Sequence, residues 1–471
     1  MFISILILCS FLLSEILIVP SEYSTIQIAI DTSTAGDTIQ VSPNIYYENL
    51  IISEKYLTII SSGTSENTTI DGGLQDPVIT CENIENDKLM IRGFTIRNGV
   101  GENINGSSFG GGILSKRSRL VLEDLIIENN SAFAGGGICF YSTDLFEYDC
   151  RVSNVLIQGN LASEGGGIFC VNHPLIVNNS TIYDNGMDLY GSGGGIQALL
   201  SDIYLEGVYI SGNQTKFGGG IYISNSMGSF KGVYIINNYS DSKGGGIWVG
   251  GDTDLDIIRS VISENYSIGF GSGIFVSISN LNILNSNIVN NIASSNVLGA
   301  GIYMDGGLSV INNSIIYFNY VENSFSNPNY NLGGYSSNNF TEYDITYSNI
   351  QGTENWIPAG NGIMSENPLF IDLDNGDYQL TELSPCIDTG DPNFYDDDMT
   401  VSDIGAYFFD QSYTLGDLNN DDLINVSDIV IIVNIILSND YNDNADFNND
   451  NSINVQDVII LVNLILSFKF N

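Results

Sequence analysis

One tetrapeptide recurs along the middle of the chain. Gly-Gly-Gly-Ile stands at Gly110–Ile113, Gly135–Ile138, Gly165–Ile168, Gly193–Ile196, Gly218–Ile221 and Gly244–Ile247, with degenerate copies at Gly271–Ile274 and Gly299–Ile302. The third glycine returns about every 27 residues. A second mark, an Ile three residues before an Asn, precedes most later copies: Ile127/Asn130, Ile157/Asn160, Ile182/Asn185, Ile210/Asn213, Ile235/Asn238, Ile262/Asn265, Ile288/Asn291 and Ile316/Asn319. Apolar residues alternate within the marks, as in Val208/Ile210 and Ile221/Ile223. A period of two belongs to a half-buried strand, not a helix. Short strands, glycine turns and a constant period dictate a solenoid of stacked β-coils. Inward Ile and Val would fill the bore. The Asn residues would form a column at one corner, passing side-chain hydrogen bonds along the stack. The glycines would sit at a corner too tight for a Cβ, or one needing positive φ. No triplet has the Gly-x-x-x-x-Gly-Lys-Ser/Thr spacing of a phosphate loop.

Composition narrows the partners. The 471 residues include 13 Lys and Arg, 55 Asp and Glu and one His, for a net charge of −42. Such a chain avoids nucleic acid and anionic membrane surfaces. Hydrophobic residues make up 43% and charged residues 14%, which supplies a large core. Phe2 to Val19 is almost wholly apolar, so residues 1–14 are read as a signal peptide or an N-terminal anchor. Residues 15–410 are assigned to the solenoid and 411–471 to a separate module. No other run approaches about 20 apolar residues, so no transmembrane span is expected in the mature chain. An extracellular or cell-surface location follows. Beyond Cys9, the five cysteines are odd in number and contain no CxxC pair. They read as buried small hydrophobes.

The Gly-Gly-Gly-Ile and Ile-x-x-Asn units resemble the right-handed parallel β-helix repeats of the pectin lyase-like superfamily. They are also similar to polymorphic outer-membrane-protein repeats. Val19 to Asp31, followed by Gly36-Asp37-Thr38-Ile39, resembles that superfamily's capping segment, in which an amphipathic helix plugs the bore. Asn367-Pro368-Leu369-Phe370, Ser384 to Asp388 and Asp403 to Tyr407 resemble its closing segment. The resemblance covers about residues 16 to 410 and implies a fold of roughly 11–13 coils.

No catalytic residue is assigned. The superfamily's hydrolase series (Asn-Thr-Asp, paired Asp, Gly-His-Gly, Arg-Ile-Lys), its arginine-rich lyase motifs and its methylesterase signatures are absent. His173, before Pro174, reads as an ordinary surface residue. Glu123 and Glu206 share one outward file three coils apart. That is about 14 Å, beyond the roughly 5–9.5 Å of a glycosidase pair. The residue two after each third glycine faces away from the bore: Leu114, Cys139, Phe169, Gln197, Tyr222, Trp248, Phe275 and Tyr303. Tyr222, Trp248, Phe275 and Tyr303 are thus expected as an exposed aromatic file suited to sugar rings, or as rings that stack on one another or lie under a loop. Cys139 shares this file and Cys170 faces inward, so they are not paired.

Near Leu415 the pattern changes. Asp417, Asn419, Asp421, Asn425 and Asp428 place side-chain oxygens at loop positions 1, 3, 5, 9 and 12, and Asp446, Asn448, Asp450, Asn454 and Asp457 repeat them 29 residues later. Leu423 and Ser452, at position 7, would offer carbonyls. This is calcium spacing, for two ions. Asp422 and Asn451 replace the usual glycine and tolerate a left-handed backbone. Helices are expected from Asp428 to Ser438 and from Asp457 to Ser467. The duplication, from Gly416 to about Ser467, resembles a type I dockerin, a family that binds cohesin domains on scaffold proteins. The resemblance implies cohesin contacts at Val426, Ser427, Val433 and Asn434, and at Val455, Gln456, Val462 and Asn463. The helices are apolar nearly all round, more than one helix pair buries, so a partner surface is expected unless the module caps the solenoid.

The reading is an all-β solenoid, a right-handed parallel β-helix, joined to a small α-helical dockerin-like calcium module. Its expected role is attachment to a cohesin-bearing scaffold together with binding or breakdown of extracellular polysaccharide. The alternatives are an active polysaccharide lyase or glycoside hydrolase, and a non-catalytic adhesin.

Overall fold

In the computed structural model one coil runs as four short strands. Ile221–Ser224 follows the glycine corner, Met227–Lys231 and Tyr234–Ile236 come next, and Tyr239–Lys243 follows Asn238. The described residues are 14–186, 190–294, 299–322, 330–334, 341–352, 360–411, 416–419, 423–438, 442–448, 450 and 452–467. The proposed leader, apart from Ser14, lies outside them, as do Cys9, Asp421, Asp422 and Asn451.

Each strand pairs in parallel with its counterpart one repeat away, as in Ile196↔Ile221↔Ile247 and Tyr209↔Tyr234↔Val261. Among the described residues the first and second strands merge into one 22-stranded sheet, and the third strands form a 12-stranded sheet. The chain is a right-handed parallel β-solenoid of about ten turns. The inward Ile of each triplet, Ile113 through Ile302, is fully buried in one continuous core.

The glycines divide the labour expected of them. The first of each triplet takes positive φ, as at Gly110 (+64°) and Gly244 (+67°). The third sits where coils touch: a Cβ on Gly112 would stand 2.5 Å from the Gly137 carbonyl oxygen.

The Asn residues form the expected column. Asn130, Asn160, Asn185, Asn213, Asn238, Asn265, Asn291, Asn319 and Asn331 are buried, and each Nδ2 donates to the next Oδ1 at 2.8–3.1 Å. The same Nδ2 donates to an Ile carbonyl of the preceding coil, as Asn213 does to Ile182 at 2.9 Å. Two further ladders, unread in the sequence, are built from hydroxyls. Ser201, Ser226, Thr253 and Ser279 accept from the backbone N–H groups of one coil after another, and Ser260, Ser286, Ser314 and Ser348 do the same at another corner.

At the N-terminal end, Ile16–Val19 is the first strand. Helix α1 (Ile26–Thr32), capped by the Thr25 hydroxyl, buries Ile26, Ala29 and Ile30 in the core. The segment after residue 360 returns along the outside of the 12-stranded sheet. Tyr378, Leu380, Cys386 and Ile404 pack on the outward Val261, Val289, Ile315 and Tyr317, and Tyr378 donates to Glu264 at 3.0 Å. It acts as a side strap over several coils.

The chain divides into two compact units, 1–394 with 401–409, and 395–400 with 410–471. In the second unit, helices α2 (Val426–Ser438) and α3 (Val455–Ser467) each begin two residues before the expected start. Ile432, Leu461 and Ile465 form its small core with Ala445. Among the described residues no helix is long and apolar enough to cross a membrane.

Candidate functional site

The two calcium-type loops share one construction. The Asp428 carboxylate accepts from the N–H groups of Leu418 (2.8 Å), Asn419 (3.3 Å) and Asn425 (2.8 Å). Asp457 likewise accepts from Phe447 (2.9 Å) and Asn454 (2.9 Å). Position 12 thereby draws both ends of its loop inward. Asp417, Asp428, Asp446 and Asp457 are all at least 95% buried. Between Gly416 and Ser467 the sequence holds no Lys, Arg or His. Burying a carboxylate is costly unless it is paired or hydrogen-bonded. The donor set of hard oxygens fits calcium. Asn425 and Asn454 are half-buried, and Asn419, Leu423, Asn448, Asp450 and Ser452 line the exposed side. Among the described residues no group of three or more His, Cys, Asp or Glu side chains is arranged to hold a metal. A calcium shell in either loop would need amide and carbonyl oxygens to complete it, and Asp421 lies outside the described residues.

The residues matched to cohesin contact sit on the outer helix faces. Val426, Ser427, Val433, Asn434, Val455, Gln456 and Asn463 are exposed, and Val462 is half-buried. They belong to two equivalent stripes, Val426-Val430-Val433-Leu437 and Val455-Ile459-Val462-Leu466, at helical spacing. All but Val462 are between 38% and 78% exposed.

On the solenoid, the residues after the glycine corner face away from the bore as expected, but the file is less open than predicted. Phe275 and Tyr303 are buried, and Tyr222 and Trp248 are half-buried. Lys243 Nζ stands 4.5 Å above the Phe275 ring, and Phe270 packs at 4.4 Å on Tyr303. Tyr222 and Trp248 stack at 4.1 Å with planes 4° apart, and Trp248, Phe275 and Tyr303 continue the stack. Parallel coils bring identical positions within stacking distance, so the rings turn their faces to each other and only edges outward. Trp248 lies over Gly250, where a Cβ would collide with its ring. Toward the N-terminus, Leu114, Cys139 and Phe169 are buried with Ala134 in a separate outer cluster. Gln197, between Phe169 and Tyr222, is 4% exposed and its Oε1 has no hydrogen-bond partner.

Other sequence expectations sort plainly. Glu123 and Glu206 do share a file, separated by Ser153 and Asn178. Cys139 faces out and Cys170 in. All five described cysteines are free and buried. Burial pushes the Cys170 thiol up to about 12, which makes it inert. His173 is not the expected surface residue. It is fully buried against Phe146, with ring centroids 4.4 Å apart, and its Nε2 has no partner. Burial, with Arg117 nearby, lowers its pKa to about 4. The Pro174 context gave no sign of this, because the covering Phe146 ring comes from another turn.

One charged group was missed altogether. Lys116 Nζ pairs with Glu82 at 2.8 Å and with Glu102 at 2.6 Å. Burial acts to lower its pKa, but Glu102 and Glu82 together hold the amine above its ordinary value. A lysine kept protonated in this way cannot serve as a base near neutral pH.

No family model matches the chain. A 177-residue stretch, 36% of this chain, is 28% identical to the metabotropic glutamate receptor-like protein R of Dictyostelium discoideum. The match spans 10% of that relative's length. Among solved structures, pectate lyase Pel9A aligns with a TM-score of 0.40 at 13% identity, over 84% of this chain and 97% of its own. A deglycosylated pectin methylesterase from Aspergillus niger aligns at a TM-score of 0.19 and 16% identity, over 75% and 90% of the two chains.

Proposed function

We propose that this is an extracellular β-helix protein that binds glycans and is anchored to a cohesin-bearing scaffold through a calcium-dependent, dockerin-like module. The observation that carries the proposal is the duplicated loop in which a fully buried position-12 carboxylate, Asp428 or Asp457, accepts N–H groups from both ends of a ring of oxygen-bearing residues. Two calcium ions would compensate these carboxylates and fix helices α2 and α3. The aliphatic stripes would then be presented as a rigid surface, and exposed aliphatic area of this kind favours a protein partner. The resemblance to type I dockerins makes that partner a cohesin. On the solenoid, the half-exposed edges of Tyr222 and Trp248 offer the apolar face of a sugar ring a place to pack.

Calcium titration of the full chain, followed by hydrogen exchange, tests the anchor. Protection of residues 416–467 should rise with calcium and fall with chelator. A cohesin panel should bind only the calcium form. Unchanged exchange across 416–467 would refute the calcium assignment, and a calcium-loaded chain that ignores the whole panel would refute the partner. A polysaccharide panel scored for binding and for cleaved ends separates the glycan-binding reading from an enzyme.

A further inference from the structure

The outer face of the first coils carries a cavity of about 410 Å³. This lies within the usual range for small-molecule sites. Its apolar wall is Leu50, Ile51 and Pro77. Its polar groups come from four separate pieces of chain. Asn49 adjoins the strand Leu50–Ser53, Asp76 lies on a loop, Thr80 and Glu82 belong to the next strand, and Glu102 starts the hairpin Glu102–Phe109.

Three features mark it as a built site. Thr80 is 7% exposed and lines the cavity. The Asn49 amide is locked by donation to the Gly72, Asp76 and Pro77 carbonyls at 3.1–3.2 Å. Lys116 fixes Glu82 and Glu102 in place, so little ordering remains to be done on binding. The local charge stays negative, since Asp76, Glu82 and Glu102 face a single lysine.

We propose that this cavity binds an uncharged sugar unit of a polysaccharide. The proposal rests on the glycan-binding reading above and names both a second site and a substrate class. Carboxylates only accept, and neighbouring sugar hydroxyls donate in pairs. Ile51, 58% exposed, offers an aliphatic surface to the CH face of a ring. A uronate would bring a second anion against three carboxylates and is rejected by Coulomb repulsion.

The test uses the full chain and titration calorimetry with cellohexaose, mannohexaose, xylohexaose, hexagalacturonate and a chitosan hexamer. At least one neutral hexasaccharide should bind, and hexagalacturonate should not. Thr80→Val and the exposed Asp76→Asn should each weaken binding at least tenfold, while the exposed Lys231→Ala on a later coil leaves it unchanged. Binding confined to the charged oligomers, or neutral binding that ignores Thr80→Val and Asp76→Asn, overturns the cavity assignment. If that neutral binding is lost in Trp248→Ala, the ring file is the site and the broader glycan reading survives. Silence across the panel ends both.

Discussion

The solenoid and the helical module are both duplications, of about 27 and 29 residues, and both bury polar side chains. They satisfy those side chains in opposite ways. In the solenoid the buried group is a neutral amide, which donates and accepts. Asn213 can therefore give a bond to Asn238 and take one from Asn185 without any outside help. In the module the buried group is a carboxylate, which only accepts. Asp428 and Asp457 take N–H groups from their own loops. A self-complementary group builds a column that extends by repetition. An acceptor-only group closes a loop on itself, which under the proposed function a calcium ion completes. The first unit is therefore expected to be indifferent to solution conditions that dissolve the second.

Chelation is the strongest way to break that contrast. At calcium a thousandfold above the dissociation constant, binding to the native state alone adds about 4 kcal/mol. Removing it should open amides across 416–467 in hydrogen exchange while the coils between Ile113 and Val321 keep their protection. Equal loss in both units would erase the distinction. Acid should act on the solenoid instead, through His173. Its native pKa is about 4 against an ordinary 6.5, so the unfolded chain binds the extra proton between those values. Stability is full above pH 6.5 and falls as pH drops toward 4, by about 3 kcal/mol. A His173→Gln chain should lose that slope in denaturant titrations at pH 7 and pH 4.5.

Interrupting the column is expected to cost a similar or slightly smaller amount. Asn213→Ala leaves Asn185 donors and the Ile182 carbonyl unpaired, worth about 2–3 kcal/mol. Thermal unfolding should show the loss, and Asn213→Asp should be at least as damaging because it cannot donate when ionised. The smallest effect is expected at the surface. Lys231 bridges Glu206 at 3.0 Å with both side chains more than half exposed, so Lys231→Ala should change the melting temperature by little, within about 0.5 kcal/mol. A larger change would mean that long-range charge matters more in this acidic chain than the ladder geometry implies.

Much of the fold was readable because a parallel coil forces like onto like. Once Ile-x-x-Asn recurs in register, the Asn side chains have no neighbour except one another. The hydroxyl ladders escaped notice because Ser is frequent everywhere in this chain, so no one Ser position stands out from the rest. The aromatic file was placed on the right side of the sheet, and of its two readings the stacked and covered one holds for Phe275 and Tyr303. Register told which residues share a column, but Lys243 and Phe270 arrive from a different strand of the coil to cover Phe275 and Tyr303. His173 failed for the same reason, with Phe146 closing over it from another turn.

By itself, then, the sequence determined everything that depends on spacing along the chain: the coil period, the inward aliphatics, the amide column and the oxygen positions of the two loops. Only the tertiary structure decided what depends on which coils and loops come together. The pairing of Lys116 with Glu102, the hairpin wall of the cavity beside Thr80 and the strap from Phe370 to Ala406 join residues that no periodicity relates. Burial is a property of what lies opposite a side chain, and in a solenoid the covering residues come from turns, hairpins and returning segments outside the repeat.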